Sequence, residues 1–200
     1  MKEVWRDIVL GAAVAMVSGC TLLSPAEVEV RREVLSKIPL ELPAERALSA
    51  SLLVLAPEAQ PVYDTTQIAY STKPYEVAYF SRIEWAERPS RMIHGLLVQT
   101  LRNTHSFSPV LTPPYAGRYT HALRSEILEL KQDFGSNPAV LRLAMRFSLS
   151  GATGKVIASR EISVLEPLRE KTPYAGVVAA NEATAKLLQE LAKFVIENTG

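Results

Sequence analysis

The chain has 200 residues, of which 48% are hydrophobic and 22% charged, values that indicate one compact globular domain rather than two. Its 22 basic and 21 acidic side chains nearly balance, which excludes the one-sided basic surface expected of a nucleic-acid-binding protein. The single cysteine excludes an intrachain disulfide and any metal site built from several cysteines.

The first recognisable element is an apolar run over residues 8–17 that follows a short charged start. A helix that crosses a bilayer needs about 20 apolar residues, so this run is too short for a stable span. It is typical of the hydrophobic region of an export signal. We therefore predict a lipoprotein signal peptide over residues 1–19.

A cysteine follows the apolar run directly, in the tetrapeptide Val17-Ser18-Gly19-Cys20. This tetrapeptide resembles a bacterial lipobox, in which small residues precede an obligatory cysteine. Cleavage would leave Cys20 as the first residue of the mature protein, carrying a diacylglycerol thioether and an N-acyl chain. Two or three acyl chains give stable anchoring where one does not. The alternative is a buried free cysteine beside an uncleaved apolar helix.

Residues 20–47 are predicted to form the lipidated N-terminus, a tether and an uncertain first strand. Because Thr21 is not Asp, the sorting rule of enteric bacteria predicts the periplasmic face of the outer membrane, with the inner membrane as the alternative. Further along, Val28, Val30 and Val34 alternate with charged residues. This pattern fits a strand or one helical turn, and we favour the strand.

The first half of the domain, predicted over residues 48–198, contains three strands and a helix. Residues 49–56 are apolar enough for a strand buried on both faces. Residues 65–70 and 75–80 are β-rich runs joined as a hairpin or a close return. Pro89 is expected at the first turn of a helix. An apolar stripe follows at three- and four-residue spacing, with members Met92, Ile93, Leu96, Leu97, Thr100 and Leu101.

The second half contains four predicted strands and a last helix. The strands are 108–112, 122–134, 139–149 and 156–164, and glycines in the turn 150–154 indicate a hairpin between the last two. In residues 139–149 every second side chain is apolar, as in a half-buried strand. Residues 175–197 carry a continuous apolar helical face. We predict a single α/β domain with a mixed sheet of about five strands, packed by two main helices.

No arrangement typical of an enzyme is found. The three histidines, His94, His105 and His121, have no metal-ligand spacing, and the sequence lacks a nucleophile elbow or a phosphate-binding glycine loop. Glu84 and Glu87 are expected to precede the first helix and favour its positive end. We therefore predict no catalytic residues, no metal and no cofactor beyond the acyl chains on Cys20.

Aromatic side chains are concentrated between residues 63 and 85, namely Tyr63, Tyr70, Tyr75, Tyr79, Phe80 and Trp85. Such residues occur in sheet cores and also in protein contact surfaces. Core packing is favoured, because strands prefer aromatic residues. If an aromatic patch does bind a partner, the candidate docking residues are Tyr63, Tyr79 and Trp85.

The same region carries a family resemblance. The segments 63–70 (YDTTQIAY), 75–81 (YEVAYFS) and 84–86 (EWA) come before Pro89, and a Leu-rich helix and 107–111 (FSPVL) follow it. In this order and spacing they resemble the ABC-type transport auxiliary lipoprotein family. The resemblance spans residues 48–197 and includes the lipobox.

This resemblance implies a fold similar to the amino-terminal domain of TolB, a mixed sheet with helices packed on it. It also implies a non-catalytic, membrane-anchored periplasmic subunit of an ABC transport system that moves lipids or hydrophobic compounds. The implied partner is a substrate-binding protein with a mammalian-cell-entry (MCE) domain, and a homo-oligomer stays open. The alternative is a structural lipoprotein that helps to assemble an outer-membrane complex.

Overall fold

The computed structural model describes residues 29–43 and 47–200, which form a mixed nine-stranded sheet and two helices. The strands are β1 (Arg31–Glu33), β2 (Leu52–Val54), β3 (Glu58–Ala59), β4 (Gln67–Ser71), β5 (Ala78–Trp85), β6 (Val110–Leu111), β7 (His121–Asp133), β8 (Val140–Gly151) and β9 (Val156–Pro167). The helices are α1 (Pro89–Asn103) and α2 (Pro173–Glu197).

The long strand β7 organises the sheet. One of its edges pairs with β2, β3 and β4 in turn, all in parallel. Its other edge pairs antiparallel with β8 along nearly its whole length, and β8 pairs antiparallel with β9. From β4 the sheet continues through antiparallel β5 to β1, which lies parallel to β5. β6 lies parallel to β2.

The alternation in β8 separates a core face from a charged face. Leu141, Leu143, Met145, Phe147 and Leu149 are at most 1% exposed, and α2 packs over β8 and β9. The alternating residues Arg142 and Arg146 form ion pairs with acidic side chains of the neighbouring strands, namely Glu126, Glu129, Asp133 and Glu161. This pattern confirms the predicted alternation and leaves a solvated sheet face opposite the helices.

Both helices begin at a proline, as expected where the backbone N–H has no helical partner. In α2 the hydroxyl of Thr172 accepts a hydrogen bond from the amide of Ala175 at 3.2 Å, which caps the helix. The predicted role of Glu84 at the start of α1 is wrong. Glu84 lies in β5 and forms an ion pair with Arg32 at 2.9 Å. The first turn of α1 itself has no acidic residue.

The fold class was predicted correctly, but the sheet is larger than the five strands expected. β1 lies where a strand was favoured over a helical turn, and β6 lies within the predicted strand 108–112. The two-residue strand β3 was not predicted, because it is too short to produce a periodic pattern. The second strand of the hairpin also runs to Trp85 rather than ending at Phe80. Within the described residues, no helix is long and apolar enough to cross a membrane.

Candidate functional site

Two of the three candidate docking residues lie in the core. Trp85 is 2% exposed and Tyr63 is 8% exposed, and both belong to the main apolar cluster. A partner could reach neither ring without opening the domain. The docking hypothesis is therefore wrong for these two side chains, and the packing interpretation, which was favoured from the sequence, replaces it.

The third candidate, Tyr79, is partly buried and has an intramolecular partner. Its hydroxyl donates a hydrogen bond to the carbonyl of Val62 at 2.9 Å, which holds the loop before β4 against the sheet. Burial, with a smaller contribution from the Glu129 carboxylate, raises the pKa of Tyr63 to about 12. Tyr79 therefore helps to hold this loop, whereas Tyr63 belongs to the apolar core. A docking role for Tyr79 stays a prediction.

The three histidines do not form a site with each other. Nε2 of His94 lies 3.2 Å from the carbonyl oxygen of Val54, and Nδ1 of His121 lies 2.9 Å from the hydroxyl of Thr120. Burial lowers the pKa of His121. Among residues 29–43 and 47–200, no three His, Cys, Asp or Glu side chains come together as a metal-binding group. The lipobox residues Val17, Ser18 and Gly19 and the predicted lipidation site Cys20 lie outside the described residues.

The surface feature best suited to contact another chain is the outer edge of β9. In the described part of the chain, β8 is the one strand that pairs with β9, so the other edge of this 12-residue strand has no strand partner. Three large apolar side chains on β9 are exposed: Val156 at 55%, Ile157 at 50% and Leu165 at 57%. Unpaired edges of this length are templates for adding another strand.

Two shallow grooves lie where β9 ends and α2 begins. The first, of about 410 Å³, is lined by Glu166, Pro167, Arg169, Glu170, Thr172, Tyr174, Ala175, Val178, Ala179 and Glu182. The second, of about 620 Å³, is lined by Glu29, Arg31, Arg82, Ile83, Thr172, Pro173 and Tyr174. The 59% exposed ring of Tyr174 borders both grooves.

Neither feature is predicted from the sequence. The strand 156–164 was predicted, but its position at the edge depends on sheet order, which hydrophobic periodicity does not report. Val156 is followed directly by Ile157, and Val164 by Leu165, so the local pattern does not show which side chains are exposed. The grooves are formed by segments that are far apart in sequence.

Solved structures share this fold. Protein XCC0632 from Xanthomonas campestris matches with a TM-score of 0.75 and 20% identity, covering 84% of this chain and 95% of its own. A second solved structure, of an uncharacterised protein, matches with a TM-score of 0.64 and 13% identity, covering 80% of this chain and 99% of its own. At these identities the similarity concerns the fold alone.

A relative in sequence is an uncharacterised protein of Bradyrhizobium diazoefficiens, 24% identical over 149 residues, which are 74% of this chain and 40% of that protein. This chain thus spans less than half of the relative's length. The model of the ABC-type transport auxiliary lipoprotein components matches residues 34–192, from the residue after β1 almost to the end of α2. The match takes in both helices and eight of the nine strands, so the chain belongs to the family of ABC-type transport auxiliary lipoprotein components.

Proposed function

We propose that this protein is a lipid-anchored, non-catalytic accessory subunit of an MCE-type ABC transport system that moves lipids or hydrophobic compounds across the envelope. The observation that carries the proposal is the family match over residues 34–192 downstream of the lipobox cysteine Cys20. The proposed location is the periplasmic face of the outer membrane. There an anchored subunit raises the local concentration of a partner without requiring new contacts.

The β9 edge is the proposed docking site for the MCE partner. Because Tyr63 and Trp85 are buried, these two side chains do not provide a docking surface. The β9 edge instead offers unpaired backbone groups beside exposed Ile157 and Leu165. An extended segment of the partner would add to this edge by main-chain hydrogen bonds, with the two apolar side chains giving specificity.

A structural lipoprotein that assembles an outer-membrane complex is the second candidate. It shares the anchor and the fold, and fold alone does not settle function. The two candidates differ in the partner they retain: an MCE-domain protein for the transport subunit, and a β-barrel or peptidoglycan-associated protein for the assembly factor.

The deciding experiment is affinity purification of the full-length protein from detergent-solubilised native membranes, with mass spectrometry of the proteins retained. We expect an MCE-domain protein, at a yield that falls in a Cys20→Ala strain. Recovery of a β-barrel or peptidoglycan-associated protein without an MCE protein would instead favour the assembly candidate.

A pair of variants tests the docking edge in the same experiment. Lysine on an exposed strand edge opposes pairing with another strand, so Ile157→Lys combined with Leu165→Lys should reduce the MCE protein recovered at least several-fold. Leu40→Lys is the matched control, because Leu40 is 94% exposed and lies outside the strands. If the double lysine variant and Leu40→Lys retain equal amounts of the MCE protein, the β9 edge is excluded as the docking site. The proposed transport role would be unaffected by that result.

A further inference from the structure

The chain enters the described domain at one particular end of the sheet. β1 runs parallel to β5 with Arg31 opposite Ile83, so Glu29 and Val30 lie toward the end of the sheet at which β5 begins. Glu29 lines the same groove as Pro173 and Tyr174 at the start of α2. The first described residue therefore lies close to the start of α2.

Three connecting segments meet at this end. Ser71 lies opposite Asp133, which places the β4–β5 hairpin, 72–77, beside the β7–β8 turn, 134–138. The side-chain amide of Gln132 donates a hydrogen bond to the carbonyl of Pro173 at 2.9 Å. This bond places the segment 168–174, which leads into α2, at the same end of the sheet. We name the surface formed by residues 29–31, 72–77, 82, 134–138 and 168–174 the tether end.

The tether end must stay close to any membrane that holds Cys20. Cys20 and Glu29 are nine positions apart, and an extended chain covers at most about 3.3–3.6 Å per residue. Glu29 is then no more than about 30 Å from the lipidated cysteine. This step rests on the proposed lipidation of Cys20.

The apolar side chains exposed at the tether end suit a membrane interface. Tyr75 is fully exposed, Tyr174 is 59% exposed and Val77 is 38% exposed. Tyrosine concentrates at the headgroup level of bilayers, where its ring is apolar and its hydroxyl stays wet. The backbone of Tyr75 has a φ of 63°, a left-handed conformation that is unfavourable for a bulky residue. The hairpin thus presents this ring to the exterior at a cost in free energy.

The charges of the tether end match an anionic lipid surface. Its exposed basic side chains are Arg31, Lys73, Arg82, Arg169 and Lys171, and its exposed acidic side chains are Glu29 and Glu170. Glu76 accepts a hydrogen bond from the hydroxyl of Thr72 at 2.7 Å, and its carboxylate also lies 3.8 Å from Nζ of Lys73. Apart from this ion pair, the tether end carries four exposed basic side chains and two exposed acidic ones. Clustered basic residues next to a membrane anchor are attracted to anionic headgroups.

We propose that the tether end binds the anionic headgroup layer of the bilayer that holds the acyl chains of Cys20, with Tyr75 and Tyr174 at the interface. This contact fixes the orientation of the domain. The loop between β6 and β7, at the opposite end of β7, then faces away from the membrane, and β9 stands with its free edge accessible from the side.

Fluorescence quenching by lipids tests this orientation. Cys20 is the single cysteine, and acylation blocks it. One free thiol for an environment-sensitive probe is therefore introduced by Asn137→Cys at the tether end or by Arg118→Cys in the opposite loop. The full-length lipoprotein is reconstituted in phosphatidylethanolamine–phosphatidylglycerol vesicles that contain a headgroup-labelled nitroxide lipid. We expect the probe at position 137 to be quenched several-fold more than the probe at position 118.

Substitutions identify the side chains responsible. Tyr75→Ser combined with Tyr174→Ser should lower the quenching at position 137 to the level at position 118, and so should vesicles without phosphatidylglycerol. Tyr115→Ser is the matched control, because Tyr115 is 42% exposed in the opposite loop, and it should change nothing. Equal quenching at the two positions, or quenching unaffected by the tyrosine pair, would overturn the proposal.

Vesicle flotation of the same samples separates this proposal from the proposed function. Protein that floats with the vesicles but shows equal quenching at both positions has its anchor and lacks the oriented contact, so only the tether end is excluded. Protein that does not float has no acyl anchor, which contradicts the proposed function and removes the basis of the contact. Circular dichroism confirms that the variants are folded.

Discussion

At the scale of single residues, the closest approach between helix and sheet depends on Gly176. A Cβ atom built at this position would lie 1.9 Å from Cδ of Gln132 and 2.1 Å from its Nε2. Gln132 is 1% exposed and donates to the carbonyl of Pro173, so its side chain has little room to move. Gly176 thus allows the first turns of α2 to pack directly on β7.

Gly176→Ala is expected to lower the free energy of unfolding by about 1–3 kcal/mol, the usual cost of overpacking a core. Gly95→Ala is the matched control in α1, where an added Cβ meets nothing within 4 Å. There the higher helix propensity of alanine should raise the free energy of unfolding by about 0.5–1 kcal/mol. Urea denaturation of both variants measures the difference.

A double-mutant cycle locates the clash. If the added methyl group strikes Gln132, Gly176→Ala should cost much less in a Gln132→Ala background, because that substitution removes every atom within 2.3 Å of the new Cβ. An equal cost in both backgrounds would show that the strain arises elsewhere in the helix.

Tyr63 should make stability depend on pH in the alkaline range. Burial raises its pKa from 10.0 to about 12, so the unfolded chain loses this proton at lower pH than the folded protein does. The contribution of protonated Tyr63 to the free energy of unfolding is complete below about pH 10 and is lost as the pH rises to about 12. Tyr63→Phe should therefore lose less stability than the unsubstituted protein over this interval.

Unfolding curves measured at several pH values between about 9 and 12 test this expectation. Tyr75→Phe, which alters a fully exposed ring, controls for the removal of any tyrosine hydroxyl. Parallel losses of stability in Tyr63→Phe and the unsubstituted protein would contradict a buried phenol at position 63.

At the scale of elements, Asn181 joins the N-terminal segment to α2. Its side-chain oxygen accepts hydrogen bonds from the amides of Ser36 at 2.9 Å and Lys37 at 3.2 Å, and its amide nitrogen donates to the carbonyl of Val34 at 3.0 Å. These three bonds span more than 140 positions of sequence. They fix the path of the chain after β1 along the outside of the helix.

Asn181→Ala should release this segment without unfolding the core. We expect a loss of about 1–3 kcal/mol, since hydrogen bonds contribute about 1 kcal/mol each, with much faster hydrogen exchange at the amides of Ser36 and Lys37. Asn181→Asp keeps the acceptor and should preserve protection of these amides, although it loses the donor to Val34. Unchanged exchange in Asn181→Ala would mean that the apolar contacts of Leu35 and Ile38 suffice to hold the segment.

How well each element could be predicted depends on its length and on its surroundings. α2 has 25 residues, with 14 of them buried, and β8 alternates over 12 residues, so both show strong periodic patterns. β3, which was not predicted, has two residues and pairs with β7, and this partner is not visible in the local sequence. The contacts of Asn181 are equally invisible in the sequence, because they join segments that meet only in the folded protein.

For the molecule as a whole, the fold class and the family followed from the sequence, whereas the proposed docking edge did not. Tyr63 and Trp85 are amphipathic residues in a β-rich region. Such residues are common in sheet cores and in contact surfaces alike, so the amino-acid composition of the region does not distinguish the two. Only sheet order shows that these rings lie inside and that the edge of β9 lies outside. The free edge and the tether end both depend on which segments meet in space.

The residue that follows Cys20 should decide which membrane receives the molecule, provided that Cys20 is lipidated as proposed. With Thr21 the proposed location is the outer membrane. Thr21→Asp changes one residue of the predicted tether, eight positions before the first described residue. In an enteric host the sorting rule predicts that this variant stays in the inner membrane. Separation of the two membranes by density and immunoblotting of the fractions measures the distribution.

Thr21→Ser is the control for a change of residue without a change of charge, and it should stay with the outer membrane. If Thr21→Asp and Thr21→Ser have the same distribution, residue 21 is not the sorting signal. A redistributed Thr21→Asp protein also tests the proposed role at the outer membrane, because its tether end would then contact the other membrane. The β9 edge would keep its structure but would be presented from the inner membrane, so recovery of a partner held near the outer membrane should fall together with the relocation.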